Sequence, residues 1–221
     1  MSAAGTTGTA GTAGAAGAVH VERGGPGTLR AAAEVLAAAF ADDPAVARLV
    51  PPDARRRHAR LVALFAGDLR SVGRDGVDVA RRGPGGEVLG AAVWGTPAGD
   101  EPAWRHPLVA LRAAAALRLR GLRAARRYDR VVAAHLPPGP CFHLHDIGAA
   151  PSARGLGVGR ALLARRLADV DAAGLPAFLE ATTPASRRLY ERHGFVAVGA
   201  ITDPVAAGAV PMLRPPQPPP A

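Results

Sequence analysis

Residues 142–160 read Phe142-His143-Leu144-His145-Asp146-Ile147-Gly148-Ala149-Ala150-Pro151-Ser152-Ala153-Arg154-Gly155-Leu156-Gly157-Val158-Gly159-Arg160. A strand over 142–149 runs into a proline, a glycine-rich turn and the start of a helix. Leu144, Ile147 and Ala149 break strict alternation by one residue, as a β-bulge requires. Gly155, Gly157 and Gly159 let the chain turn tightly and let a ligand approach the backbone. Successive N–H groups at such a turn, reinforced by the helix dipole, suit a pyrophosphate. The spacing is G-x-G-x-G, not the G-x-G-x-x-G of dinucleotide-binding folds.

Upstream of this segment the pattern predicts a short strand over 18–22 and a helix from a Thr28 cap through Leu29, Ala33, Leu36 and Phe40. That helix is expected to stop at Ala41-Asp42-Asp43-Pro44, because a residue before proline leaves the α region. A second helix follows a cap at Asp53, with Leu61, Phe65, Leu69 and Val72 inward. Strands over 77–81 and 87–94 form a hairpin about Gly83-Pro84-Gly85-Gly86. One or two helices over 105–134 are expected to place Leu108, Leu111, Ala115, Leu119 and Leu122 on one side. After the glycine turn come a helix with Leu163, Leu167 and Val170 inward, a strand over 177–181, and a helix over 184–193 closed by Gly194. Strands over 195–201 and 209–213 complete the set. Hairpins mixed with strand-helix-strand units make the class α+β with a mixed sheet.

The 221 residues suit one domain over 18–214 with a helical insertion over 100–135. It is flanked by a Gly/Ala/Thr tail over 1–17, expected to be disordered, and a Pro-rich tail over 215–221. All 27 basic residues are arginines. The absence of lysine excludes a Walker A loop and Schiff-base chemistry, and no serine sits in a G-x-S-x-G elbow. One cysteine, Cys141, excludes an intrachain disulfide. No apolar run of membrane-spanning length and no signal peptide is seen, so a cytoplasmic protein without membrane partners is expected. The formal net charge is +9, and eight arginines against Glu101 and Asp129 put six of those charges in 101–134. Few aromatics accompany them, which disfavours nucleic acid as partner.

Arg154-x-x-Gly157-x-Gly159 between strand and helix resembles the pyrophosphate loop of the GNAT acyltransferase family. Leu189-Tyr190-Glu191-Arg192-His193-Gly194-Phe195, with Tyr190 lying 31 residues beyond Gly159, resembles that family's second signature. Stretches over 37–44, 92–97 and 174–180 are similar to the puromycin-acetylating branch of the family, with two departures. Asp43 stands where an aromatic is frequent, and Ser186 where asparagine is usual.

The resemblance implies a mixed, mostly antiparallel central sheet split at the bulge, with helices on both faces. It also implies an acetyl-CoA-dependent N-acetyltransferase in which the primary amine of a small molecule attacks directly in a ternary complex. Detoxification of an antibiotic or aminonucleoside is one such activity. Backbone groups of Ile147, Gly148 and Ala149 would hold the pantetheine arm and acetyl carbonyl. The loop of Arg154, Gly155, Leu156, Gly157, Val158 and Gly159 would bind the pyrophosphate, with Ser186 a further coenzyme contact. Tyr190 would be the general acid.

The base is left open among Glu180, ranked first because the resemblance puts it at the cleft mouth, His145, Asp146, Asp42 and Asp43. Asp42, Asp43 and Trp94 are the expected acceptor contacts. His143 and His145 share a strand face as metal ligands would, but no third ligand has recognisable spacing, so no metal is expected. A protein or peptide amine as acceptor, or a non-catalytic acyl-CoA-binding or nucleic-acid-binding module, are the alternatives. Monomer and homodimer both remain open.

Overall fold

The computed structural model describes residues 18–73, 75–97 and 107–217, apart from the side chain of Val109. The expected tail over 1–17, the start of the insertion at 100–106 and the end of the Pro-rich tail lie outside the described residues. Seven strands form one sheet in the order β1-β2-β3-β4-β5-β7-β6. They are β1 (Val19–Arg23), β2 (Val77–Arg82), β3 (Val88–Gly95), β4 (Phe142–Ala149), β5 (Ala177–Ala181), β6 (Val196–Ala197) and β7 (Val210–Arg214). The β4–β5 pair is parallel and the others antiparallel. The helices are α1 (Leu29–Ala39), α2 (Pro44–Leu49), α3 (Arg57–Ser71), α4 (Pro107–Ala133), α5 (Val158–Ala173) and α6 (Pro184–Glu191).

Two cores follow from the two sheet faces. Helices α5 and α6 cover one through Leu162, Leu163, Leu167, Val170 and Tyr190, packed on Leu89, Leu144 and Leu179. Helices α1, α3 and part of α4 cover the other through Leu36, Leu61, Phe65, Leu69 and Leu117, packed on Val77, Val79 and Val93. The face under α5 also holds a buried ion pair. Arg166 Nε meets Asp78 Oδ2 of β2 at 2.7 Å, with both side chains almost wholly buried. Arg166 also donates to the Asp75 carbonyl at 2.7 Å. This pair locks α5 to the sheet.

Several local expectations give way. Pro44 does not simply end a helix. It occupies the first turn of α2, where its missing N–H costs nothing, and Asp43 caps that helix. Thr28 makes no cap bond into α1, because its hydroxyl donates to the Gly25 carbonyl and accepts from the Gly25 N–H. Asp53 does not cap α3, which begins four residues later behind Arg56.

The strand expected over 195–201 shrinks to two residues. Val198 N still reaches Pro211 O at 3.0 Å, but Pro211 has no N–H with which to return a bond. Helix α4 is broken at Arg118. Of the residues expected on one side, Leu108, Leu111 and Leu119 are exposed and Leu122 packs on the second core, while Ala116, Leu117 and Val132 are buried. Among the described residues no helix is long and apolar enough to cross a membrane.

Candidate active site

Strand β4 creates the cleft by losing its neighbour. It pairs with β5 only from Phe142 to Leu144, after which the two strands diverge. On its other edge the register against β3 jumps, since Val93 faces Asp146 and Trp94 faces Leu144. His145 is therefore the extra residue of a bulge, as the broken alternation demanded.

The bulge decides which side chains meet. Leu144, Ile147 and Ala149 pack toward the α5 core. A Cβ at Gly148 would instead strike Ala39 and Leu36 of α1 at 2.7 and 3.2 Å. His143, His145 and Asp146 thus share the face opposite α5, with Phe178 and Glu180 of β5 beside them. The His143 ring lies 4.3 Å from that of His145 and 5.4 Å from that of Phe178.

At one end of the cleft lies the glycine loop. Gly155 and Gly157 hold φ of 82° and 74°, a region that side chains strain to enter. Gly159 serves packing instead, since a Cβ there would approach Leu189 of α6 at 3.3 Å. Helix α5 begins at Val158, so its first N–H groups lack intrahelical acceptors and open at the cleft. Arg154, Arg160 and Arg192 add cationic lining. Leu156 turns away and is 47% exposed. Positive glycine backbone, free N–H groups and arginines fit a coenzyme pyrophosphate. Ser186 also lines the cleft, with its hydroxyl bound into the capping box of α6, donating to the Thr183 carbonyl at 2.9 Å.

The other end is lined by carboxylates. Asp43 Oδ1 accepts from the N–H of Ala45 and Val46, and its Oδ2 accepts from Thr182 Oγ1 at 2.9 Å. The connection before α2 is thereby tied to the end of β5. Glu180 meets His143 Nε2 at 3.1 Å and, among the described residues, pairs with no arginine.

Asp146 has its pKa pushed up to about 7, mainly by burial and further by Asp43 and Glu180, with His143 acting in the opposite sense. Burial first, then Asp146 and Asp129, hold Asp68 of α3 well above the ordinary carboxylate range. Crowding by protein and the neighbouring His143 push the His145 imidazole down. The residue as a whole is nonetheless exposed to solvent, which weakens that effect. Tyr190 also lines the cleft, 5% exposed, its ring edge-on to Phe195. Burial and the charges of Asp146, Glu180 and Asp43 raise its pKa, so its phenol keeps its proton.

Of the residues expected from sequence, Tyr190, Glu180, His145, Asp146, Ile147, Gly148, Ala149, Arg154, Gly155, Gly157, Val158, Gly159, Ser186 and Asp43 line one cleft. Two acceptor residues do not. Trp94 is fully buried in the α5-side core, because β3 is covered on both faces, and Asp42 is exposed outside the cleft lining. Thr182 and Tyr128 line it without having been foreseen. Tyr128 reaches the cleft from α4, and no local pattern in the insertion marks it.

Residues 85–195 match the acetyltransferase (GNAT) family. A Corynebacterium glutamicum crystal structure, described as a histone acetyltransferase HPA2 and related acetyltransferase, is 31% identical with a TM-score of 0.65. The match covers 90% of this chain and 97% of that one. The Drosophila melanogaster polyamine N-acetyltransferase, which catalyses the formation of N-acetylagmatine, shares the fold at 18% identity and a TM-score of 0.54. That match covers 89% of this chain and 99% of that one. An agmatine N-acetyltransferase shares it at 18% identity and a TM-score of 0.52, over 88% of this chain and 98% of its own. With its bulged strand, glycine loop and splayed cleft, the chain belongs to the GNAT acetyltransferase family.

Proposed function

We propose that the protein transfers the acetyl group of acetyl-CoA to a primary amine of a small, cationic molecule in a ternary complex. One observation carries this reading: a single cleft is lined by the glycine loop, by the carboxylates of Asp43, Asp146 and Glu180, and by a tyrosine that keeps its proton. Acetyl-CoA would supply an already activated thioester, so the protein's task is chiefly to position two reactants and move two protons. The loop over 154–159 holds the pyrophosphate. Backbone groups of Ile147, Gly148 and Ala149 that do not face β3 open onto the splayed gap and hold the acyl carbonyl.

Tyr190 gives its proton to the departing thiolate sulfur. Asp146 takes the proton that the substrate ammonium must lose before its nitrogen can attack. A carboxylate with a pKa near 7 suits that role better than Glu180, which is engaged with His143. Asp43 and Glu180 favour an acceptor that carries positive charge. Amines of the agmatine and polyamine type fit this chamber better than a puromycin-like aminonucleoside, for which Asp43 replaces an expected aromatic.

A thiol-release assay with agmatine, polyamines, puromycin and a basic peptide tests the reading. Turnover of small cationic amines is expected. Turnover of the peptide alone would replace the small-molecule acceptor, and acetyl-CoA binding without release from any amine would remove the enzymatic reading.

A further inference from the structure

The α4 insertion holds most of the excess positive charge, and the cleft makes little use of it. In the first half of α4, Ala116 and Leu117 face inward. A Cβ on Gly67 of α3 would lie 3.0 Å from Ala113, so the two helices pack closely along that side. The opposite side carries Leu108, Leu111 and Ala115, spaced to share one face. Leu108 and Leu111 are 69% and 66% exposed, and Leu119, just past the break, is 62% exposed. Among the described residues nothing covers this stripe.

Ala115 and Leu119 continue into a groove between α4 and the segment joining α2 to α3. Its walls also carry Arg48, Arg55, Arg56, Arg60, Arg118 and Arg120, with Asp53 as the one acid in the lining. Arg48 and Arg60 donate to backbone carbonyls. Arg55, Arg56, Arg118 and Arg120 have no hydrogen-bond or ion-pair partner among the described residues. Arg56 and Arg118 are also the two non-glycine residues there with positive φ, at 56° and 59°. The break at Arg118 interrupts the helix where both Arg118 and Arg120 line the groove.

An occupant of this surface has to satisfy unpaired guanidiniums and remove adjacent leucines from water. A second copy of the same face would set arginines against arginines. A free polyphosphate would pair the arginines and leave the leucines wet. Single-stranded nucleic acid draws on aromatic stacking, and no aromatic side chain lines the groove. An anionic phospholipid surface supplies both chemistries on one plane.

We propose that the exposed face of α4 docks on an anionic phospholipid surface. Headgroup phosphates enter the arginine groove, and Leu108, Leu111 and Leu119 reach the acyl-chain boundary. The docking is peripheral and needs no membrane-spanning helix. It is independent of which amine the cleft accepts.

The test is co-sedimentation of the full chain with phosphatidylcholine vesicles, with and without roughly one-third phosphatidylglycerol, at low and high salt. Binding about tenfold stronger to the anionic vesicles, and weakened by salt, is expected. The variant Leu111→Ser/Leu119→Ser and, separately, Arg55→Glu/Arg56→Glu should each lose most of that binding while keeping the thermal transition and thiol-release activity of the parent. Equal binding to neutral vesicles, no binding, or full retention in the leucine variant would overturn the proposal. So would a dimer in analytical ultracentrifugation that the leucine substitutions dissociate. Binding of inorganic polyphosphate by a protein that ignores vesicles would overturn it as well.

Discussion

At one end of the cleft, main-chain groups and positive-φ glycines from the contiguous residues 147–160 form the lining. At the other, Asp43, Asp146, Glu180 and Tyr128 come from four separate elements and meet because β4 and β5 splay apart. The first end is a main-chain device that tolerates little change in backbone conformation. The second is a side-chain device whose electrostatics depend on which helices press on the sheet. On the proposed reading the former holds the coenzyme and the latter chooses the acceptor.

The contrast can be broken most severely from beneath α5, the helix that follows the glycine loop. Asp78→Ala leaves the Arg166 guanidinium buried without its counter-charge, and a loss of about 3–5 kcal/mol in urea unfolding is expected. Both ends of the cleft should fail together. A loss under about 1 kcal/mol would mean that α5 is held by its apolar contacts alone.

Chemistry at the acceptor end comes next. Asp146→Asn should lower kcat by roughly 100-fold or more, with the Kd for acetyl-CoA nearly unchanged by calorimetry. The parent's kcat/KM should climb as pH rises through about 7, where Asp146 becomes the free base, and this limb should vanish in the variant. Stability runs the other way. The folded-state pKa is raised above the unfolded carboxylate value, so the associated stabilisation is complete at acid pH and lost as pH rises through about 7. Asp146→Asn should therefore melt at or above the parent temperature at pH 8. A variant that melts lower there would contradict the buried-carboxylate picture.

Gly157→Ala sharpens the division. It forces a side chain into a left-handed conformation beside the anion site, so the KM for acetyl-CoA should rise about tenfold while the acceptor KM stays near its parent value. The smallest effect belongs to Thr182→Val, which removes the 2.9 Å bond to Asp43. About 1 kcal/mol of stability and a few-fold increase in acceptor KM are expected, with acetyl-CoA binding unaltered.

The legibility of the two ends differs for the same reason that their construction does. Gly155, Gly157 and Gly159 announce their role because a tight turn before a helix needs those residues in that order. Leu144, Ile147 and Ala149 record the bulge because the pleat has a period of two. Asp43 was legible as an acid before a proline, but not as the cap of α2 that also accepts from Thr182. Trp94 is a cleft residue on the resemblance of the stretch over 92–97, and nothing local says that both faces of β3 are covered. The leucines of α4 followed a helical period correctly, yet periodicity cannot say which side of a stripe finds a partner. In this protein the inward side is alanine-rich, because α3 approaches closely at Gly67.

From sequence alone came the α+β class, the bulged strand, the glycine loop and the Tyr190 motif, each carried by residue types and spacings within short stretches of the chain. Those depend on backbone dihedrals and strand alternation, which a local stretch dictates. The raised pKa of Asp146, the still higher pKa of Tyr190 and the exposed basic face of α4 emerged only in three dimensions. They depend on burial and on charges brought together from distant parts of the chain, and neither quantity exists before the helices have docked on the sheet.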